Sequence, residues 1–217
     1  MRPWTILLVP LLALLPGAPA QAQDEGAIDY VVEPGRSTLA ILVYKDPDTI
    51  AAGASHDHVI VSQGYTGFVT WSQGDNAGCK VAFDLPVSGL SPDQPAMRQR
   101  YGLHSTLSDG QRSDVKKNML SREQLDVGSH PRITFKASSC SGPSGTVQVK
   151  GALTIRGVTK NVTIPMKVAV SDADFAAEGR ITIRATDFGF EPYTAGFGAL
   201  KNKNEMVLII DVKGRPR

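Results

Sequence analysis

Two histidines in the segment ASHDHVI, residues 54–60, have the type and spacing of metal ligands. His56 and His58 flank Asp57, and side chains two positions apart in an extended segment point to the same side, so the two imidazoles could share an ion. A closed zinc site needs about four ligands, and the other two histidines are distant in sequence. Because an isolated H-x-H pattern is a weak predictor, the favoured interpretation is that these side chains satisfy backbone groups at the entrance to a strand.

A second polar candidate is the basic segment that contains Arg98, Arg100 and His104. Guanidinium groups bind phosphate oxygens with charge-assisted hydrogen bonds, so this segment could neutralise a phosphate headgroup. The alternative is a solvated loop, and it is favoured because charged runs usually face water.

The only two cysteines are Cys79 and Cys140. Cys79 opens the strand-like run CKVAFDLPV and Cys140 closes the run RITFKASSC, so antiparallel pairing of these runs would bring the two thiols level. The CxxC spacing of a redox or metal site is absent. We therefore predict a disulfide, as is usual in an oxidising compartment.

Enzymatic and nucleic-acid-binding functions receive little support. No serine lies in a nucleophile elbow, and a disulfide would leave no free cysteine. The 23 basic and 21 acidic residues are interspersed, whereas a groove that follows phosphates needs clustered basic charge. The sequence therefore predicts no catalytic activity, no cofactor and no nucleic-acid partner, with metal-dependent chemistry at His56 and His58 as the alternative.

The first 22 residues have the layout of a secretory signal peptide. Arg2 precedes an apolar run from Ile6 to Leu15, and small residues follow up to Ala22. The run is too short for a permanent membrane span, and no later apolar stretch is long enough. We expect residues 23–217 to form one exported domain, either periplasmic or secreted. Whether it forms a homodimer is left open.

From Tyr30 onward the dominant hydrophobic period is two, which predicts half-buried strands. About eight such runs, separated by turn residues, indicate an all-β barrel or sandwich. Residues from about 92 to 131 are the exception. There Val115 and Met119 form a narrow stripe of a short helix, and Ser121 with Gln124 has the pattern of a capping box. We expect this helical insertion to cross or plug one end of the barrel, with a functional lid as the alternative.

Apolar residues recur at alternate positions of these strands, so the inner face is aliphatic. It is either a packed core or, if about eight strands close into a barrel, the wall of a cavity for one small or elongated ligand. The candidate lining residues are Leu39, Ile41, Val43, Phe68, Phe83, Ile133, Phe135, Leu153, Ile155, Leu208 and Ile210.

Four separated segments carry a resemblance to a known family, and one of them, RATDFGFEPYTAGFGALKNKNEMVLIIDV, is similar to its closing region. GALTIRGVTKNVTIPM resembles the G-x-LTI-x-GVTK-x-V signature of the YceI-like polyisoprenoid-binding proteins. YVVEPGRSTLAILVY is similar to the opening strand of that family, and MLSREQLDVGSHPRITFKAS is similar to its helix-turn and the strand that follows. The resemblance implies a lipocalin-like extended antiparallel barrel that encloses the hydrocarbon tail of an isoprenoid or similar lipid, without known catalytic machinery. Candidates for the headgroup or mouth are His56, His58, Arg98 and Arg100.

Overall fold

The computed structural model describes residues 27–72, 78–143 and 145–217. The predicted signal peptide, residues 1–22, lies outside these residues. No helix in the described part of the chain has the length and apolar character needed to span a membrane.

The described chain is dominated by β-structure. Its two α-helices are α1 (Pro95–Arg100) and α2 (Asp109–Leu120). The strands, in chain order, are β1 (Ala27–Val32), β2 (Thr38–Lys45), β3 (His58–Ser62), β4 (Thr66–Ser72), β5 (Lys80–Pro86), β6 (Leu90–Pro92), β7 (Arg132–Ser141), β8 (Thr146–Ile155), β9 (Val158–Val170), β10 (Phe175–Arg184), β11 (Thr194–Ala195) and β12 (Leu200–Pro216).

These strands form a closed antiparallel barrel. The sheet runs β1-β4-β5-β7-β8-β9-β10-β12 and closes where β12 pairs with β1. β2 also pairs with β12, β3 with β2, and β6 with β3. The pairs β1/β2, β3/β4 and β5/β6 are therefore three long strands, each interrupted once. Counted in this way, eight strands follow one another up and down around the ring, so the predicted all-β, lipocalin-like architecture is confirmed.

The three interruptions lie side by side and bend the wall. They comprise residues 33–37, 63–65 and 87–89. Backbone hydrogen bonds continue across them, because Glu33 N donates to Lys213 O at 2.8 Å and Gln63 N donates to Gly89 O at 3.0 Å. A Cβ at position 89 would collide with the Gln63 carbonyl, so the close approach requires glycine. Beyond these interruptions, β2, β3 and β6 continue the barrel wall as three paired strands.

Alternation divides the side chains of these strands between two faces. Inward-facing residues from all around the ring make the main apolar cluster. On the outside of β2 and β3, a smaller cluster that includes Leu42 and Val59 is covered by Met97 and Tyr101 at α1. The helix α1 therefore packs on the outer wall, whereas residues of α2 face the interior of the barrel.

The helical insertion forms as expected in its general character, but its capping differs. The capping box of α2 is made by Ser108 and Gln111, whose reciprocal side-chain to backbone bonds are 3.2 and 2.9 Å. Ser121, predicted to begin a second capped turn, instead ends α2. Gln124 N donates to Ser121 O at 3.1 Å, so this turn is closed by backbone atoms.

The predicted disulfide between Cys79 and Cys140 is confirmed, with 6.0 Å between the Cα atoms. Strands β5 and β7 pair antiparallel with Phe83 opposite Phe135, which brings the two cysteines to the same end of the barrel. A structural disulfide fits an oxidising compartment.

Candidate functional site: an apolar cavity with one polar strand

The interior of the barrel contains a cavity of about 260 Å³. Its wall comes from inward positions of nearly every strand and is largely aliphatic and aromatic. The volume is close to the lower end of the range of about 300–1,000 Å³ that is usual for small-molecule sites. The inner face therefore encloses space and is not a fully packed core.

Ten of the eleven predicted lining residues contribute to the cavity wall. They are Leu39, Ile41, Val43, Phe83, Ile133, Phe135, Leu153, Ile155, Leu208 and Ile210.

The placement of Phe68 inside the barrel is wrong. Its side chain is half exposed, while its neighbours on β4, Val69 and Trp71, are buried and line the cavity. Residues on a strand alternate between faces, so Val69 and Trp71 facing inward require Phe68 to face outward.

One end of the cavity is a closed floor of aromatic rings. Tyr30, Trp71 and Phe175 are all buried, and the Phe175 ring lies 5.4 Å from that of Tyr30 and 6.2 Å from that of Trp71, centroid to centroid. The Tyr30 hydroxyl donates to Ser171 O at 2.9 Å, so even its polar atom is satisfied within the floor. Cys79 and Cys140 are buried in the same cluster.

The opposite end, the mouth, is covered by α2 and the segment 185–193. Met119 and Val115 of α2 face the cavity together with Phe190, so the predicted apolar stripe of the helix is part of the wall. Polar contacts hold the cover in place: Asn118 Nδ2 donates to Tyr193 Oη at 3.0 Å, and Gln124 Nε2 donates to Glu191 O at 3.1 Å. The insertion therefore lies across this end of the barrel.

At the mouth end of β3, His58 belongs to a buried polar network and also lines the cavity. Its Nδ1 lies 2.6 Å from Asp93 Oδ2, and the other carboxylate oxygen accepts from Val59 N at 3.1 Å and from Arg98 Nη1 at 2.6 Å. Asp93 has no exposed surface and Arg98 is only 4% exposed. The backbone of Asp93 also donates to Val59 O at 2.7 Å, which fixes the carboxylate beside β3.

The electrostatics of this network favour an ionised Asp93. Burial is the largest single influence and raises its pKa, but the hydrogen bond and Coulombic attraction of His58, with the hydrogen bonds from Val59 and Arg98, together outweigh burial and hold the pKa below its ordinary value. The neighbouring Arg98 cation compensates the carboxylate charge.

The two arginines predicted as headgroup candidates are committed to other partners. Arg98 donates to Ser105 O at 2.7 Å and to Asp57 O at 2.7 Å in addition to Asp93. Arg100 lies outside the barrel and pairs with Asp211 at 3.0 Å. Neither lines the cavity, so Arg98 lies in the polar network at the mouth without facing the ligand space, and Arg100 lies on the outer surface. Arg98 is a buried structural cation because Asp93 provides a charge partner that local sequence does not reveal.

The histidine pair does not form part of a metal cluster. In the described residues, no three His, Cys, Asp or Glu side chains are grouped closely enough to hold an ion. His58 is bonded to Asp93, and His56 does not line the cavity. Asp57 Oδ1 accepts from Lys45 N at 2.9 Å, so Asp57 satisfies a strand backbone group as expected, whereas His58 bonds to a carboxylate and not to backbone.

Sequence reasoning missed Asp93, which lies 35 positions from His58. Its only local feature is the turn-like SPDQP segment. Asp93 has a φ of 53°, a conformation that aspartate tolerates better than most residues. The floor residues Tyr30, Trp71 and Phe175 were also missed; Phe175 is the first residue of β10, where no alternation precedes it.

A closed eight-strand antiparallel barrel with an apolar cavity, one sealed end and one end under a helical cover defines a lipocalin-like class of protein. More specifically, the chain belongs to the family of the YceI-like domain, which matches residues 30–213.

Similar proteins have the same family name or the same fold. The chain is 26% identical over 194 residues to protein YceI of Salmonella arizonae, covering 82% of this chain and 94% of that protein. It is 28% identical over 135 residues to a UPF0312 protein of Pseudomonas paraeruginosa, covering 59% and 69%.

Two solved structures show the fold. BcnA of Burkholderia cenocepacia aligns with a TM-score of 0.63 at 15% identity, covering 84% of this chain and 98% of that one. The YceI protein of Campylobacter jejuni aligns with a TM-score of 0.56 at 13% identity, covering 73% and 84%.

Proposed function

We propose that the protein binds the hydrocarbon tail of an isoprenoid-type or similar amphiphilic lipid inside its barrel, and that it stores, sequesters or carries this lipid in the periplasm. The observation that carries the proposal is the apolar cavity of about 260 Å³ between the aromatic floor and the helical cover. Membership of the YceI-like family supports the same ligand class.

The lining chemistry favours a tail over a compact polar ligand. The ten predicted wall residues that reach the cavity are all aliphatic or aromatic. Transfer of hydrocarbon from water is worth roughly 0.8 kcal/mol per CH₂, so one five-carbon unit contributes about 3–4 kcal/mol before the costs of association. A few such units are enough for stable binding.

The location rests on the disulfide and on the expected leader. Cys79 and Cys140 are paired, and such bonds persist in oxidising compartments such as the bacterial periplasm. A lipid that crosses an aqueous compartment needs its tail shielded from water, and an enclosed barrel provides that shield.

The test is the binding of farnesene, a C15 isoprenoid hydrocarbon, measured by its displacement of a fluorescent apolar probe from the protein. Ala177 on β10 is buried and lines the cavity, whereas its neighbour Ala176 does not line it. We expect Ala177→Phe to fill part of the cavity and weaken farnesene binding at least tenfold, because about one isoprene unit loses its space.

Ala176→Phe is the matched control, since it adds the same side chain at the adjacent position of the same strand. We expect it to leave the affinity unchanged. Native mass spectrometry of protein purified from a lipid-rich host provides a second measurement. A wild-type protein that binds no farnesene and carries no extractable lipid would refute the proposed function.

A further inference from the structure

The cavity wall has a polar stripe on one strand, β3. His58 and Ser62 line the cavity, with Ile60 between them. Their strand neighbours are apolar: His58 pairs with Val43 of β2, and Ser62 pairs with Leu90 of β6. Most other polar lining groups among the described residues lie at the mouth, on α2 and in the segments 124–125 and 190–203.

The contacts of His58 set its tautomer. Because ionised Asp93 can only accept a hydrogen bond, the proton of a neutral imidazole lies on Nδ1, which is 2.6 Å from the carboxylate. The other ring nitrogen, Nε2, has no hydrogen bond to the described residues, and it is then an acceptor.

Ser62, deeper in the barrel, also has a polar atom without a hydrogen-bond partner among the described residues. That atom, Oγ, is buried. Buried hydroxyl groups are normally satisfied, and an exception calls for an explanation. Four residues of strand place Ser62 about 13 Å from His58 along β3.

We propose that His58 Nε2 is the anchor for a neutral hydroxyl headgroup, so that the preferred ligand is a long-chain alcohol whose tail extends toward the Trp71 and Phe175 floor. This inference rests on the proposed function and specifies its ligand class. The Asp93–Arg98 pair is compensated internally, so the network adds no unpaired carboxylate, and the Nδ1-protonated tautomer of His58 offers a lone pair at Nε2. A hydroxyl group fits such a site without leaving a buried charge uncompensated.

The experiment compares farnesol with farnesene, which share a C15 tail and differ in the headgroup. His58→Asn is the informative variant, because an asparagine amide can donate to Asp93 in place of Nδ1 while Nε2 is deleted. We expect His58→Asn to weaken farnesol binding about 5- to 100-fold and to change farnesene binding less than twofold, since only the alcohol loses its acceptor. His104→Asn, at an exposed histidine outside the cavity, is the matched control.

Each result has a defined meaning. Equal weakening of farnesol and farnesene binding would overturn the anchor, because it would show a purely structural role for His58. A variant that lowers the affinity for farnesoic acid more than that for farnesol would overturn the neutral-hydroxyl assignment. If wild-type protein fails to bind farnesene, the proposed function itself fails. If farnesene binds and farnesol shows no dependence on His58, only the anchor fails.

Discussion

The two ends of the barrel are closed by different kinds of interaction. At the floor, Tyr30, Trp71 and Phe175 pack ring against ring beside the Cys79–Cys140 disulfide. At the mouth, the closure consists of a short helix, loop segments and side-chain hydrogen bonds such as that from Asn118 to Tyr193. Apolar packing and a covalent bond are suited to an end through which nothing passes. Hydrogen bonds at the surface exchange readily with water, so they suit the end where a ligand enters.

The floor and the mouth also differ in the polar groups that they bury. The floor satisfies its one phenol internally through Tyr30 and Ser171. The mouth contains a buried ion pair, Asp93–Arg98, together with His58. Buried ion pairs seldom add stability relative to apolar residues of similar volume. The network is therefore better explained by the orientation that it gives to His58 and β3.

The largest expected effect comes from breaking the mouth network with Asp93→Asn. The change preserves shape and removes the anion, so buried Arg98 loses its charge partner. We expect a loss of about 3–5 kcal/mol in the free energy of unfolding, measured with urea. Asp109→Asn is the control, because that carboxylate is almost fully exposed and its removal should change little. Equal effects of the two changes would contradict a special role for the mouth network.

The same carboxylate predicts a pH dependence. The pKa of Asp93 is lower in the folded protein than its ordinary value, so its contribution is complete above the unfolded pKa of about 3.9 and is lost as pH falls through the folded pKa. Urea unfolding between about pH 5 and pH 2 should show this acid loss in the wild type, with a smaller slope in Asp93→Asn. Parallel pH profiles would rule out Asp93 as a source of the acid sensitivity.

At the floor, removal of the disulfide with Cys79→Ser and Cys140→Ser tests whether covalent closure serves stability alone. The bond joins residues 61 positions apart, and its loss should lower the free energy of unfolding by about 2–4 kcal/mol. Farnesene affinity should stay within twofold, because neither cysteine lines the cavity. A large loss of affinity in a folded double variant would show that the floor depends on the bond for its shape.

Sequence periodicity predicted the strands and their inward faces because alternation is a local property that a strand retains in its fold, whereas the closed barrel was implied by the family resemblance. Leu39, Ile41 and Val43 were placed correctly for this reason. Phe68 was misplaced although the GYTGFVTW run favours the other alternation, since Tyr65, Val69 and Trp71 share one face and Phe68 shares its face with two threonines. Local sequence contains no information about the contact between His58 and Asp93, since that contact depends on the pairing of β3 with β6.

A smaller change at the floor, Phe175→Leu, tests whether the ring limits the length of the cavity. The loss of aromatic contacts should lower the free energy of unfolding by about 1–2 kcal/mol. The space released next to Trp71 should shift ligand preference toward longer tails, measured as the affinity ratio of geranylgeraniol (C20) to farnesol (C15). The matched variant is Phe190→Leu at the mouth, where chain length should matter less. An unchanged ratio in Phe175→Leu would place the limit on tail length elsewhere.

The smallest expected change in the free energy of unfolding is an increase, and it concerns a phenylalanine at the mouth. Phe197 is fully exposed and has a φ of 54° and a ψ of 35° between Gly196 and Gly198. The left-handed conformation costs a residue with a side chain about 1 kcal/mol more than glycine, while glycine gains entropy in the unfolded chain. We therefore expect Phe197→Gly to raise the free energy of unfolding slightly, by up to about 1 kcal/mol, whereas Phe175→Leu lowers it. Thermal and urea unfolding of both variants measure the contrast. A destabilised Phe197→Gly would show that the phenylalanine ring makes contacts whose stabilisation exceeds the cost of the left-handed backbone.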